Sequence, residues 1–480
     1  MVAGARQRWV LFGAIILASA IKLYLISLGP EPDPDAYAHA MAGRHVVAGQ
    51  PGVAMHWVWL PLWHWVHAAA YWVGGIDSVR LLALLCTSLA PWLLADALES
   101  ASTERTRLPS LAGALLALSP ACLSAGSTSQ LEAPTISLIL GACAITERAR
   151  AAKRISVASA AGVGALLASA CLIRYEAWAL PAVWLALTMK SPQRAVWSIS
   201  WLLPASAIVG WCIHHRIESG EWLQFLRYNA DFAAAYLRGN GFPWGPEPNA
   251  IFALGWYSLR IPLAEYTLLA PALFVGVARA LRMGPRSLTF ASAAIFAFLT
   301  VGLVRGQHLG LQRHALLLGP VYAVCAAAGL LALGDLLGRA LRARRPSFDW
   351  QRAAALCGLA LFIAGRVAPS LVTETAWRKR AYATSLALAA PLRTQFAPGD
   401  HVFSDESSVE VLTNLPPRAF SRGSLSSVGE ADVQARASCN SSWIVSQRDY
   451  VTHLLPIAEE VTSAGELVLL RLQTTCPATQ

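Results

Sequence analysis

Two aspartates flank a proline, with a tyrosine and a histidine close behind, in the run Pro30-Glu31-Pro32-Asp33-Pro34-Asp35-Ala36-Tyr37-Ala38-His39. Either carboxylate has the chemistry to take a proton from an attacking hydroxyl. Asp35 also suits the N-cap of a short helix beginning at Ala36, and the two roles are compatible. An Asp-x-Asp string brings a metal–diphosphate site to mind, but the intervening proline works against joint chelation, and no metal ligand is assigned. Glu132, in Ser127-Thr128-Ser129-Gln130-Leu131-Glu132, reads either as a first-turn carboxylate favoured by the helix dipole or as a second acid. Arg174-Tyr175-Glu176 reads as a pair of interface anchors with the arginine snorkelling, or as an arginine fork for a phosphate, held by Glu176. Arg305, His308, Arg313 and His314 add a second cationic group. Tyr37 and His56 complete the candidate contacts to substrate. His56 adjoins a tryptophan-rich segment that reads either as an interfacial belt or as a surface on which sugar rings stack.

The elements that must position these residues are membrane helices. Of 480 residues, 55% are hydrophobic and 14% charged, against about a quarter charged in soluble domains. Mean hydropathy is +0.47. Apolar segments run over 9–28, 57–74, 79–97, 108–125, 131–146, 155–173, 177–189, 195–214, 258–278, 287–304, 315–334 and 353–371. Basic clusters at Arg6/Arg8, Arg105/Arg107, Arg148–Arg154, Lys190/Arg194, Arg279–Arg286 and Arg339–Arg345 belong in the cytoplasm by the positive-inside rule. All of them share that side if 57–74, with its tryptophans and histidines, lies on the outer surface. The expectation is a mainly α polytopic bundle of about eleven spans, with an uncleaved first helix. The outer side then carries the loop 29–78, the turn before Glu132, the long loop 215–257 and the loop Arg305–Arg313.

The division expected is a bundle over 1–372 and a small extracytoplasmic α/β domain over 373–480. Seven cysteines sit in apolar spans as small hydrophobes. Cys439 and Cys476, in the tail, are free to form a disulfide if that tail is extracytoplasmic, and the sequence does not decide whether they do. The net charge of +10 sits in short loops without a basic–aromatic motif, so nucleic acid is not an expected partner.

With these residues in view, the chain resembles the polytopic glycosyltransferases of the C-type fold, on the branch of protein O-mannosyltransferases and lipid A aminoarabinose transferases. Members place an Asp, often Asp-Glu followed by Tyr, in the first outer loop. A helix ending in Gly, a Pro-Leu-aromatic segment and an Arg opening the next span follow. Here Asp35-Ala36-Tyr37 fits, with Ala36 where Glu is common. Ala48-Gly49, Leu60-Pro61-Leu62-Trp63 and Arg80-Leu81-Leu82 take the later places, and Glu132 and Arg174-Tyr175-Glu176 have counterparts. The likeness is best over about 9–190.

The resemblance implies an inverting transfer of a sugar from a polyprenyl phosphate to an acceptor hydroxyl, on the outer face of a bacterial inner membrane. It makes Asp35 the general base, and Arg174, Arg305 or Arg313 the phosphate ligands. It implies a lipid tail held between helices and an acceptor that is a glycan, lipid or protein. It requires no nucleotide or tightly bound metal, although related oligosaccharyltransferases use a divalent ion. Two other classes remain open at this point. One is a transporter or flippase, for which Lys22 and Glu265 are the charges nearest the membrane interior. The other is an envelope scaffold whose tail binds a partner.

Overall fold

The structure is a computed structural model that describes residues 2–50, 59–102, 106–240, 250–307, 312–341, 348–404, 406–421, 442–448, 451 and 458–472. His56, His308, Cys439 and Cys476 lie outside the described residues. The chain is mainly helical. Among the described residues, seven helices are long and apolar enough to cross a membrane: Arg8–Ser27, Pro61–Ala101, Arg194–Ser219, Ala250–Met283, Arg286–Val304, Leu316–Leu341 and Trp350–Gln395. Shorter apolar helices run Leu108–Ala117 and Val157–Cys171. This is an integral membrane protein.

Contacts divide the chain into two compact units that interleave along the sequence. The first comprises Met1–Leu25, Met55–Trp63 and Arg80–Thr373; the second comprises Ile26–Ala54, His64–Val79 and Glu374–Gln480. The second unit thus joins most of the first loop to the tail, which a division along the chain does not anticipate.

Within the first unit, ion pairs order the helix ends. Arg8 meets Glu99 at 2.5 Å, Arg148 meets Asp96 at 2.5 Å, and Arg107 grips Asp349 through both of its amino groups. The start of the first helix, the end of Pro61–Ala101, the start of Leu108–Ala117 and the end of Glu132–Ala151 therefore share one end of the bundle. At that end the Glu147 carboxylate also accepts the Ser287 amide at 2.9 Å, satisfying a donor at the start of Arg286–Val304. Glu132 opens a 20-residue helix, about 30 Å long, and so lies at the opposite end.

Two close approaches fix the packing of Ala270–Met283 against Gly319–Leu341. A Cβ on Gly276 would fall 1.9 Å from the Cys325 carbonyl oxygen, and one on Gly329 would fall 1.7 Å from that of Ala272. Small residues four apart on both helices let the backbones touch, the usual solution where lipid offers no hydrophobic drive between helices.

Several boundaries differ from the hydropathy reading. From Pro61 onward the segments 57–74 and 79–97 lie in one helix, Pro61–Ala101, broken at Gly74–Gly75, where Gly75 takes φ 69°. The segment 108–125 breaks before Pro120, with Ser119 capping the helix Pro120–Ala125. The long loop 215–257 contains a helix over Gln224–Asn240. The last apolar helix continues through polar sequence to Gln395.

In the second unit the tail forms a five-stranded mixed sheet, β1 (His401–Ser404), β2 (Phe420–Ser421), β3 (Ser442–Gln447), β4 (Glu459–Ala464) and β5 (Leu467–Leu472). Its order is β2-β1-β3-β5-β4. β1 runs parallel to β2 and β3, whereas β5 is antiparallel to β3 and β4. β3 reads Ser-Trp-Ile-Val-Ser-Gln and is buried along its first five residues. Both of its faces are covered, as a central strand of near-continuous apolar character requires. Leu388 and Leu392 of the helix ending at Gln395 cover Trp443 and Val445 on one face.

Gly329→Val should lower stability by about 1–3 kcal/mol through overpacking, read as a lower melting temperature in detergent. Gly13→Val, where nothing lies within 4 Å, should leave it nearly unchanged.

Candidate functional site

In the first unit the candidate residues converge on Arg174, which lies between the helix Val157–Cys171 and the short 3-10 helix Tyr175–Ala179. Its guanidinium donates to Glu132 at 2.6 Å and takes Glu176 in a two-pronged pair. Arg313 and His314 approach the same Glu132 oxygen at 3.8 Å each. Glu132 is 1% exposed and Glu176 4%. Burial works against the charge on Arg174, but Glu176 and Glu132 outweigh it and hold the guanidinium above its ordinary range. Arg174 is therefore a fixed cation with both forks engaged, and Glu132 is an ion-pair partner in a network. Glu176 holds Arg174 as the sequence reading expects, and Glu132 stands in the first turn of its helix; that reading did not anticipate the pair between Glu132 and Arg174. It missed the pairing because Glu132 and Arg174 are 42 residues apart.

The turn leading to Glu132 is held by two residues of the resemblance motifs. The Trp63 indole donates to the Ser129 carbonyl at 3.1 Å, and the Arg80 Nε donates to the Ser127 carbonyl at 3.3 Å. Trp63 and Arg80 are each 1% exposed. Ser127 and Thr128 turn their hydroxyls back onto carbonyls of the preceding helix. This polar turn is buried, and its donors are matched to carbonyls as burial demands.

Arg305 is placed differently. It follows the helix Arg286–Val304, is exposed, and has no carboxylate partner among the described residues. It stands at the rim of a groove of about 720 Å³ whose walls include Ala182, Ala186, Ala294, Ala297 and Phe298. Small side chains on two facing helices leave the groove open. Its walls are apolar, and Arg305 and Gln307 supply polar groups.

Lys22 and Glu265, which a transport reading enlists, are both buried in the first unit. Glu265 accepts the Ala121 amide at 3.1 Å, acting on the first turn of Pro120–Ala125. The Lys22 ammonium reaches the Cys122 thiol at 4.0 Å.

In the second unit, a helix over Pro34–Val47 carries the acidic motif. Its N-cap is Asp33, whose Oδ1 accepts the amides of Asp35 at 2.9 Å and Ala36 at 3.2 Å. This corrects the assignment of the cap to Asp35. Proline is favoured at the first helical position, so Pro34 hands the cap to the residue before it. Glu31, 2% exposed, in turn accepts the Asp33 amide at 3.2 Å. Asp35 sits in the first turn, partly exposed. Tyr37, expected to touch substrate, is 2% exposed and packs with Ala40, Met41 and Val411. His39, one turn beyond Asp35, lies against His64 and His67 with ring centroids 5.0 and 5.7 Å away. Among the described residues no group of three or more His, Cys, Asp and Glu is arranged to hold a metal ion.

No family model matches the sequence, and no curated protein matches it. Solved structures do. ArnT from Cupriavidus metallidurans in the apo state superposes with a TM-score of 0.64 at 14% identity, over 97% of this chain and 98% of that one. The same protein bound to undecaprenyl phosphate gives 0.62 at 14% identity, over 98% and 99%. The oligosaccharyltransferase AglB from Archaeoglobus fulgidus, in complex with an inhibitory peptide and a dolichol-phosphate, gives 0.53 at 13% identity, over 99% of this chain and 75% of that one. The chain has the C-type glycosyltransferase fold. At this identity the likeness speaks to the fold, and the sequence resemblance drawn from the first spans agrees with it.

Two substitutions separate the roles in this C-type framework. Asp33→Ala should cost about 1 kcal/mol through the lost cap, with Asp33→Asn milder. Glu132→Ala, which leaves a buried guanidinium short of a partner, should cost about 3–5 kcal/mol. Thermal melting of the purified protein reads both.

Proposed function

We propose that this protein is a membrane glycosyltransferase that moves a sugar from a polyprenyl-phosphate donor to an acceptor hydroxyl on the extracytoplasmic face. The observation that carries the reading is the apolar groove with Arg305 at its rim, in a chain whose fold matches that of a protein solved with undecaprenyl phosphate bound. An isoprenoid chain suits walls of Ala, Val and Phe, and a phosphate suits an exposed guanidinium with no carboxylate partner among the described residues.

Arg305 binds the donor phosphate, and Arg313 adds positive charge. Arg174, engaged by Glu132 and Glu176, acts as a positioning residue that fixes this part of the bundle. Asp35 is the general base. Its carboxylate takes the acceptor hydroxyl proton while the oxygen attacks the anomeric carbon. The bond from that carbon to the phosphate oxygen breaks, the electron pair leaves with the polyprenyl phosphate, and the anomeric configuration inverts. The guanidinium offsets the charge that develops on the leaving phosphate, which is where electrostatic stabilisation counts most. Asp33, committed to the cap, supports the helix on which Asp35 stands.

Mass spectrometry of lipid that co-purifies with the protein should find a polyprenyl-phosphate sugar, which identifies donor class and sugar mass together. Arg305→Gln should weaken undecaprenyl phosphate binding about tenfold or more, the loss of one charge-assisted contact. Asp35→Asn should bind that lipid normally and lose about 10²–10⁴-fold in transfer. Unchanged transfer in Asp35→Asn rejects the base assignment. Solute flux in proteoliposomes without transfer would favour a transporter.

A further inference from the structure

The helix that carries Asp35 is built into the C-terminal region by a buried polar contact. Arg44, nine residues beyond Asp35 on the same helix and 5% exposed, reaches the short tail helix Ser407–Thr413. One guanidinium nitrogen donates to the Glu410 carbonyl, and another donates to the Leu415 carbonyl at 2.6 Å. Arg393 donates to the Leu412 carbonyl at 2.9 Å. Two arginines thereby serve the carbonyls that the C-terminal end of this helix leaves exposed beside the left-handed Asn414 (φ 56°).

The Glu410 carboxylate, 1% exposed, returns the contact. It pairs with His45 Nε2 at 3.0 Å and Arg44 at 3.8 Å. Tyr71 closes the far side, its ring 6.0 Å from the Arg44 guanidinium carbon. Around this polar centre Tyr37, Ala40 and Met41 pack on Val411, with Tyr71, Ile76 and Leu412 at the edge. Gly43 presses the helix from another side, since a Cβ there would meet the Ala68 amide at 2.9 Å.

We propose that Arg44, His45 and Glu410 form a clamp by which the tail helix sets the orientation of the Asp35 helix, so that the C-terminal region is a positioning element for the transfer chemistry. The proposal rests on the reading of Asp35 as base. An α-helix transmits a tilt along its whole length. Two and a half turns separate the clamp from the acid, so loosening one end displaces the other. Burial makes the arrangement stringent. Removing Arg44 takes a donor from the Leu415 carbonyl, leaves the Glu410 carbonyl with Thr413 alone, and leaves the buried Glu410 carboxylate with His45 but without its guanidinium counter-charge.

Hydrogen exchange of the full-length protein in detergent tests the clamp without any substrate. In Glu410→Gln and Arg44→Gln, exchange of the helix Pro34–Val47 should rise at least tenfold while the span Leu316–Leu341 stays protected. Arg448→Gln, which breaks an exposed tail pair with Glu460, should change neither. If Arg44→Gln loosens the span as well, Arg44→Lys carries the test. It keeps the charge, loses the fork, and should raise exchange of the loop helix less. Unchanged exchange of that helix in both Glu410→Gln and Arg44→Gln overturns the clamp.

Turnover of the co-purified lipid-phosphate sugar with water as the acceptor hydroxyl, read as free sugar and polyprenyl phosphate released, tests the positioning. Glu410→Gln should lower kcat at least tenfold with the donor KM unchanged, and Arg44→Lys should recover part of the loss. Raised exchange with kcat unchanged overturns the positioning role. Full turnover in Asp35→Asn instead overturns the base assignment and leaves the clamp standing.

Discussion

A guanidinium buried in an apolar bundle must find its counter-charge inside the protein, because neither lipid nor bulk water is there to supply it. Glu132 and Glu176 meet that demand for Arg174, and much of the first unit is arranged to keep them in place. The turn before Glu132 is pinned by Trp63 and Arg80. Glu176 lies two residues after Arg174, on a 3-10 turn packed against Phe225 through Tyr175 and Trp178. Each of these contacts fixes one end of a helix that would otherwise be free to slide in a medium without a hydrophobic drive for association.

The same neutralisation divides the cations into two kinds. Arg174 is paired with two buried carboxylates. Arg305 is exposed at the rim of an apolar groove, where a phosphate can meet it without first displacing a carboxylate. Under the proposed function, in which a lipid phosphate leaves after each turnover, such a division is an advantage. A fully matched buried ion pair would have to be broken each time, whereas an exposed fork exchanges partners at small cost.

The membrane architecture was legible in the sequence because hydropathy and loop charge report directly on burial in lipid. The runs 195–214 and 287–304 correspond to helices Arg194–Ser219 and Arg286–Val304. Asp33 was also legible in principle, since a proline at the first helical position names the residue before it as the cap. The dipeptide Asp35-Ala36 offered a competing reading. Other features were not legible. Nothing near Glu132 announces Arg174, and nothing near Arg44 announces Glu410, because long-range pairing leaves no local pattern. Tyr37 sits in a motif beside an acid and looked functional, but its ring is core to a cluster whose partner Val411 lies in the tail. The helix beyond 371 escaped hydropathy because a polar sequence such as Glu374-Thr375-Ala376-Trp377-Arg378 is helical without being apolar.

The contact between Arg44 and Glu410 joins residues 366 positions apart. At roughly 5–20 residues per second of synthesis, the loop helix waits on the order of 20 to 70 seconds for the partner that completes its surroundings. Until then Tyr37, Met41 and Arg44 have no tail to pack against, and the acid they carry has no fixed setting. A chain released before its last strands would therefore carry the long apolar helices up to Leu316–Leu341 while the surroundings of its loop helix were still incomplete.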